Sequence, residues 1–272
     1  MKFLSALVIA TVVSLIVVEG YRNVTRAEEP KPLIALIKAG GWVLYSGPDF
    51  VLYENGLVLF KRDKERLERL PPKFFSVNLN PQERDALVAS LSITQEFLGL
   101  DSYYRIFEAT DQLTNSILLW KPIHKSVSVY GRIRKNGPPD ILKDYYRPTP
   151  APFQKLFWQL ETFDHPQARE WVPETLDVRL FPLKVESWVE NPIPWPAEWP
   201  DIDHPEVQKG EYGYYLTVPR SGMELLKAMF PEVGGERPVL IGKRQFKAQY
   251  WIHVPSEKLL LNAASNAWDK EN

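Results

Sequence analysis

The stretch FVLYENGLVLF, residues 50–60, constrains the fold more than any other part of this chain. Asn55-Gly56 separates two short runs of β-branched, aromatic and leucine residues. An Asn-Gly pair between such runs is the strongest short-range signal for a β-hairpin, because a type I′ turn needs positive φ at both central residues. The stretch therefore predicts two antiparallel strands joined by a two-residue type I′ turn.

That turn would also fix the register of the two strands. Tyr53 would lie opposite Val58, and Leu52 opposite Leu59. Side chains alternate between the two faces of a strand, and here both sets are apolar. We therefore expect other elements to cover the hairpin on both sides.

Two helices and a second hairpin are predicted between the first hairpin and residue 165. Asn80-Pro81-Gln82-Glu83 combines a capping residue, a proline at the first helical position and a glutamate that can bond back to the cap. Residues 116–120 and 126–130 are typical of strands. The second helix has apolar residues at i, i+3, i+4 and i+7, namely Phe153, Leu156, Phe157 and Leu160.

The second half of the chain has its own strands at 176–183, 211–218, 239–241 and 245–254, with a short helix from Ser221. Antiparallel hairpins segregated from helices indicate an α+β fold. We predict two similar-sized halves with a boundary near residues 164–171. The expected domains are 30–165 and 170–262, followed by a polar tail at 263–272.

The first half carries a resemblance to a known type of protein. The motifs are GGWVLYSGPDFVLYENGLVLFKR, then a helix, then ATDQLTNSILLW and KSVSVYG. Over about residues 40–165 they resemble uncharacterised secreted bacterial proteins with a Gly-Gly, then Pro-x-Phe-x-Leu-Tyr-x-x-Gly-x-Val hairpin. The resemblance implies a compartment and a hairpin–helix–hairpin fold, and no catalytic residues come with it.

The N-terminus indicates export from the cytoplasm. Met1-Lys2 precedes an uncharged run at residues 3–18, which predicts a signal peptide or a retained membrane anchor at residues 1–20. As a helix, the run would span only about 24 Å, short of the roughly 30 Å hydrocarbon core. Imperfect cleavage sites follow Gly20 and Ala27. The alternative is a buried core helix.

Composition excludes several classes of protein. The formal net charge of −1 gives no reason to expect nucleic acid, because phosphate backbones require a concentrated basic surface. The chain has no cysteine, so a disulfide framework, a thiolate metal site and a cysteine nucleophile are all excluded. The 24 prolines indicate many fixed turns and extended connections.

No local catalytic motif is present: there is no Gly-x-Ser-x-Gly, Ser-x-x-Lys or His-Glu-x-x-His. A Ser-His-Asp arrangement from distant residues stays open, because triads are recognised by geometry. His253 shares a strand face with Gln249 and Trp251, opposite the more apolar Tyr250 and Ile252. We expect a half-exposed histidine there rather than a general base.

The densest unusual segment runs from Trp188 to Trp199 and alternates tryptophan with proline. Trp188, Trp195 and Trp199 would form a ligand platform if their indole faces were exposed. The other interpretation is a stiff, extended strap that lays tryptophans into the core between the two halves.

Two further segments contain polar residues that could bind a ligand or a metal ion. Asp201, Asp203 and His204 could supply ligands to a metal ion, although Asp-His-Pro is also ordinary turn chemistry. The basic run Arg132-Ile133-Arg134-Lys135 is either a solvated strand end or a contact for an anionic envelope partner. No cofactor is predicted.

These features predict a non-catalytic binding or structural module of the cell envelope. Its partner would be another envelope protein or a cell-surface polymer, with membrane contact only through the N-terminal segment. The alternatives are an envelope hydrolase with a dispersed active site and a secreted inhibitor or chaperone-like protein.

N-terminal sequencing of the mature protein tests the localisation. We expect the chain to begin at Tyr21 or Glu28 if the signal is cleaved, or at Met1 in the membrane fraction if it is an anchor. Loss of residues 1–27 removes three cations and one anion, so the formal charge falls from −1 to −3. An intact Met1 in soluble cytoplasm would contradict both interpretations.

Overall fold

The computed structural model describes residues 29–39, 47–62, 73–110, 112–121, 123–137, 140–229 and 238–268. The predicted signal or anchor at 1–20, the Gly40-Gly41 motif and Asp111 lie outside the described residues. The described residues from Lys31 onward belong to one compact unit by backbone contacts. No helix in the described ranges is long and apolar enough to cross a membrane.

The first sheet has eight strands and is antiparallel except at one edge. In spatial order they are β5 (Tyr103–Arg105), β7 (Lys125–Tyr130), β6 (Thr114–Leu119), β1 (Pro32–Ala39), β2 (Phe50–Tyr53), β3 (Leu57–Phe60), β4 (Phe74–Asn78) and β8 (Arg169–Trp171). Only the pairing of β5 with β7 is parallel. The hairpin β2–β3 therefore lies inside the sheet, with partners on both sides.

The second sheet has six strands. In spatial order they are β10 (Ile193–Pro194), β13 (Val239–Ile241), β14 (Arg244–Trp251), β9 (Thr175–Pro182), β12 (Tyr214–Pro219) and β11 (Gln208–Lys209). The β10–β13 pairing is parallel and the others are antiparallel. Together with the helices, the two sheets confirm the predicted α+β class.

The α-helices of the described residues pack into the hydrophobic clusters on the two faces of the first sheet. They are α1 (Pro81–Ser90), α2 (Gln95–Leu98), α3 (Ala151–Glu161), α4 (Met223–Met229) and α5 (Glu257–Trp268). The capping box predicted for α1 is present, because Asn80 accepts from the amide of Glu83 and Glu83 accepts from the amide of Asn80. Leu87, Val88 and Leu91 pack against the core as expected.

The polar tail predicted at 263–272 is corrected in part. Residues up to Trp268 continue α5, and Ala263 and Ala264 pack against the core. The helix lies against β1, β6 and β7. It covers the part of the first sheet where Ser116 and Ser128 are buried with their hydroxyls bonded to each other at 2.7 Å.

The first sheet is buried on both faces, as the hairpin predicted. Phe50 and Leu52 point into a cluster with the apolar side of α3. Val51 and Tyr53 point the other way, into a cluster that contains the inner side chains of the second sheet, such as Val178. The two sheets therefore pack face to face, and the helices α1, α2 and α3 cover the outer face of the first sheet.

The predicted turn type and register were wrong by one residue. Val51 pairs with Leu59 and Leu52 with Val58, so the loop has three residues. Only Gly56 has positive φ, at 86°, and its amide donates to the carbonyl of Tyr53. A three-residue loop of this kind needs one left-handed residue at its end, and the side-chain oxygen of Asn55 accepts from the amide of Leu57.

The change from one sheet to the other occurs between Trp171 and Thr175, next to the boundary predicted at 164–171. The two halves nevertheless share a hydrophobic cluster and belong to one compact unit. The phenol of Tyr53 in the first sheet donates to the carbonyl of Pro255, just before α5, at 2.8 Å.

Two glycine variants separate backbone strain from steric overlap. A Cβ on Gly56 would lie 2.1 Å from the carbonyl oxygen of Leu79, whereas a Cβ on Gly242, also at positive φ, would meet nothing within 4 Å. We expect Gly242→Ala to lower the free energy of unfolding by about 1 kcal/mol through left-handed strain. Gly56→Ala should lower it by about 2–3 kcal/mol, because the loop and residue 79 must also separate.

Urea unfolding of both variants beside the wild type measures these differences. Equal losses in the two variants would contradict the close packing of the hairpin loop against Leu79.

Candidate functional site

The three tryptophans of the proline-rich segment do not form one exposed surface. Trp199 is 7% exposed and lies in the core cluster. Trp195 packs against it edge to face, with ring centroids 5.1 Å apart, and its indole nitrogen donates to the carbonyl of Pro200. Trp188 stands apart, 39% exposed, bonded to the carbonyl of Leu183. For Trp195 and Trp199 the structure supports the strap interpretation.

The weak metal candidates serve the local turn. The carboxylate of Asp201 accepts from the amide of Asp203, and Nδ1 of His204 accepts from the amide of Glu206. His165, in the other Asp-His-Pro triplet, accepts from the amide of Gln167 in the same way. Within the described ranges, no three His, Cys, Asp or Glu side chains converge well enough to hold a metal ion.

His253 lies in the arrangement that most resembles a catalytic one. Its Nε2 lies 2.9 Å from the Asp177 carboxylate, and its Nδ1 contacts the carboxylate of Glu257. Thr217 donates to the same Asp177 at 3.2 Å. His253 lies two residues beyond the end of β14, and its half-exposed position there agrees with the sequence prediction. The contacts join β9 and the end of β14 to the first turn of α5.

The two carboxylates fix the protonation of this histidine. Hydrogen bonds to Asp177 and then Glu257 raise the pKa of His253 from its usual 6.5 to about 10. The same histidine lowers the pKa of Asp177. Both ring nitrogens donate in the imidazolium, which leaves no lone pair to accept a proton from a nucleophile. The cluster is an ionic clamp rather than an acid–base site.

A second ionic cluster is buried at the end of the hairpin strands. Asp49 lies 3.1 Å from both Lys38 and Lys61, and Lys38 also lies 2.7 Å from Glu161 at the end of α3. Lys61 donates to the carbonyl of Gly47 as well. These contacts tie β1, β2 and β3 to the helix that covers them.

Burial and ion pairing have opposite effects on the pKa values of the charged groups in this cluster. Burial alone would raise the pKa of Asp49, but Lys61 and Lys38 together lower it. Burial would lower the pKa of Lys38, and Asp49 with Glu161 outweighs it. For Lys61 burial prevails over the opposing effect of Asp49, and the charge of Lys38 adds to the effect of burial, so the pKa of Lys61 falls. Charges so enclosed have a structural role, because removal of one partner leaves an uncompensated buried charge.

An open cavity with basic walls is the remaining candidate. Its volume is about 420 Å³, within the range of small-molecule sites. It lies between the segment after β7, the segment before α3 and the start of α3 itself. Its cations are Arg132, Arg134, Lys135 and Arg147, and its other polar side chains are Tyr146, Thr149 and Gln154. Among the described lining residues there is no carboxylate, histidine or serine.

The cations of this cavity are incompletely neutralised. Arg147 pairs with Glu108 at 2.8 Å while remaining 72% exposed. Nε of Arg134 is shielded from solvent and has no hydrogen-bond acceptor among the described residues. Gln154 donates to the carbonyl of Arg134, which fixes the backbone there. Buried donors without partners are rare in folded proteins, so this one indicates a missing acceptor.

The N-terminus of α3 adds positive potential at the same place. Pro148, Thr149 and Gln154 line the cavity on either side of the helix start. Pro150 is the N-cap residue and gives no side-chain cap, and the first turn has no acidic residue. Pro150 and Pro152 have no N–H to offer, so it is the positive end of the helix dipole that favours an anion here.

One part of this cavity is recognisable in the sequence. It is the basic run Arg132-Ile133-Arg134-Lys135, for which a contact with an anionic envelope partner was one of the two interpretations. Arg147 and Gln154 follow 12 residues or more later in the chain. The bridge between Phe107 and Tyr146 and the packing of α3 bring them to the same place.

Comparison of the chain with family models, with curated proteins and with solved structures finds no match. The resemblance to secreted bacterial proteins therefore depends on the quoted motifs alone.

The ionic clamp at His253 predicts a specific pH dependence. A group whose pKa is raised by folding stabilises fully below its unfolded pKa, here 6.5, and loses that contribution as the pH rises toward 10. The free-energy difference between wild type and His253→Gln should therefore be largest near pH 6 and shrink toward about pH 10.

Urea unfolding of the two proteins at several pH values in that window measures the difference. A difference that stays constant across the window would contradict the double carboxylate contact.

Proposed function

We propose that this chain is a non-catalytic binding module of the cell envelope and that its ligand is anionic. The observation that carries the proposal is the cavity lined by Arg132, Arg134, Lys135 and Arg147 without a described carboxylate in its wall. Guanidinium groups pair with anionic oxygens through two parallel hydrogen bonds. The donors already converge in the folded chain, so little reorganisation is needed to bind.

The hydrolase alternative has weaker support. A dispersed active site needs a base with a free lone pair next to a nucleophile. His253 uses both ring nitrogens on carboxylates, and His165 and His204 accept backbone amides within their own turns. The basic cavity holds hydroxyls at Tyr146 and Thr149 but no described residue that could activate them as a general base.

The inhibitor or chaperone alternative would use a protruding proline loop or an open sheet edge. The four edge strands are short, with three residues each in β5 and β8 and two each in β10 and β11. Short edges offer few free backbone groups to an added strand. The tryptophan–proline segment packs Trp199 into the core and therefore lies along the protein surface.

The sequence supports the proposed location in the cell envelope. The charged Met1-Lys2, the apolar run at 3–18 and the resemblance of residues 40–165 to secreted bacterial proteins all favour a place outside the cytoplasm. A soluble phosphorylated or carboxylated molecule, or the charged end of an envelope polymer, would be available to such a protein.

Thermal unfolding of the full chain with different anions at constant ionic strength tests this proposal. Citrate, sulfate and glycerol phosphate should each raise the melting temperature above that in chloride. A ligand at a hundred times its Kd adds about 2.7 kcal/mol. The double variant Arg132→Gln/Lys135→Gln should lose most of this gain, since both side chains are exposed and line the cavity.

Arg244→Gln is the matched control, because Arg244 is an exposed arginine on the second sheet. It should keep the full gain. The proposal fails if no anion stabilises the protein, or if the control and the double variant lose the gain equally. Conversion of the ligand during incubation, abolished by His253→Gln, would support the hydrolase instead.

A further inference from the structure

We propose that the basic cavity is a site for a dianionic phosphoryl group, carried by a small phosphomonoester, with Arg134 as its central contact. This inference rests on the proposed function and specifies the ligand of the same site. The argument uses the charge of the cavity, its donors and the position of Arg134.

The charge of the cavity exceeds what one carboxylate would neutralise. Four cations line it, and one carboxylate outside the described lining, Glu108, pairs with Arg147. About three positive charges remain within one volume of about 420 Å³. A phosphomonoester carries nearly two negative charges at neutral pH, whereas a carboxylate or a sulfate ester carries one.

The polar side chains match a group that only accepts hydrogen bonds. Arginine and lysine have donors and no acceptor. The hydroxyls of Tyr146 and Thr149 can donate as well, and the amide of Gln154 is held by its bond to the carbonyl of Arg134. Three terminal oxygens on phosphorus present more acceptor sites, in three directions, than the two coplanar oxygens of a carboxylate.

The position of Arg134 gives the site an anchor. It is half-buried between the exposed cations Arg132 and Lys135, and its Nε has no acceptor among the described residues. A small shift of the Arg134 side chain would bring that donor to a phosphoryl oxygen in the cavity, and the same guanidinium would give a second bond. The start of α3 has no side-chain cap and no acidic residue in its first turn, so the positive end of its dipole adds to the attraction for the same anion.

The cavity also has room for the rest of the ligand. Ile106 and Pro148 supply apolar wall. A free phosphate would leave most of the volume unfilled, whereas a phosphomonoester places its organic part against these residues.

Calorimetric titration of the full chain at matched ionic strength tests the ligand class with glycerol phosphate, methyl sulfate, acetate and inorganic phosphate. Glycerol phosphate should bind at least about tenfold tighter than the two monoanions at pH 7, because it alone among these three has a second charge there. Its affinity should fall about tenfold between pH 7 and pH 5, since its second pKa is about 6. The affinity of methyl sulfate should stay nearly constant and control for titration of the protein.

Arg134→Lys keeps the charge and removes the planar fork, so it should weaken glycerol phosphate about tenfold or more while leaving methyl sulfate less affected. If that variant does not fold, the test uses two other measurements: the affinity of Arg132→Gln for glycerol phosphate and the pH dependence of that affinity in the wild type. Inorganic phosphate binding as tightly as glycerol phosphate would overturn the organic part of the inference.

The possible failures are distinguishable. Equal binding of glycerol phosphate, methyl sulfate and acetate, or pH-independent binding of glycerol phosphate, overturns the phosphoryl inference and leaves anion binding standing. Absence of binding by every anion overturns this inference together with the proposed function.

Discussion

Burial of the first sheet on both faces is the constraint on which the rest of this structure depends. A strand that is apolar on both sides must have one layer above it and another below. Helix α3 and its neighbours supply one layer, and the second sheet supplies the other. The second half of the chain is therefore required to complete the core of the first. Their connection changes sheets within four residues, between Trp171 and Thr175.

The sequence allowed the element types to be predicted where local signals were strong. The capping box at Asn80 and the apolar stripe of α3 are each specified by neighbouring residues. The hairpin register was missed by one residue, because Asn55-Gly56 fits both a two-residue loop and a three-residue loop. Close packing of Gly56 on the carbonyl of Leu79 selects the second, and no local signal shows that contact. Helix α5 was not predicted, and its second half was interpreted as part of a polar tail.

The ionic clusters and the cavity could not be read from the chain, since each joins distant segments. Lys38 meets Glu161 across 123 residues, and Asp177 meets His253 across 76. The face of His253 was predicted from strand alternation, but its two carboxylate partners were not. In the cavity, the run 132–135 was visible as charge, while Arg147 reached it only through the folding of the segment before α3. The charge of a site can thus be predicted in part from the sequence. Which distant charged residues come together in the fold cannot.

A tungstate soak of crystals of the full chain tests the central claim most directly, because tungstate is a tetrahedral dianion that can be located by its anomalous scattering. The account predicts an anomalous peak inside the basic cavity, within hydrogen-bonding distance of the Arg134 guanidinium and next to the start of α3. Peaks only at exposed cations outside the cavity, with no peak at Arg134, would contradict it.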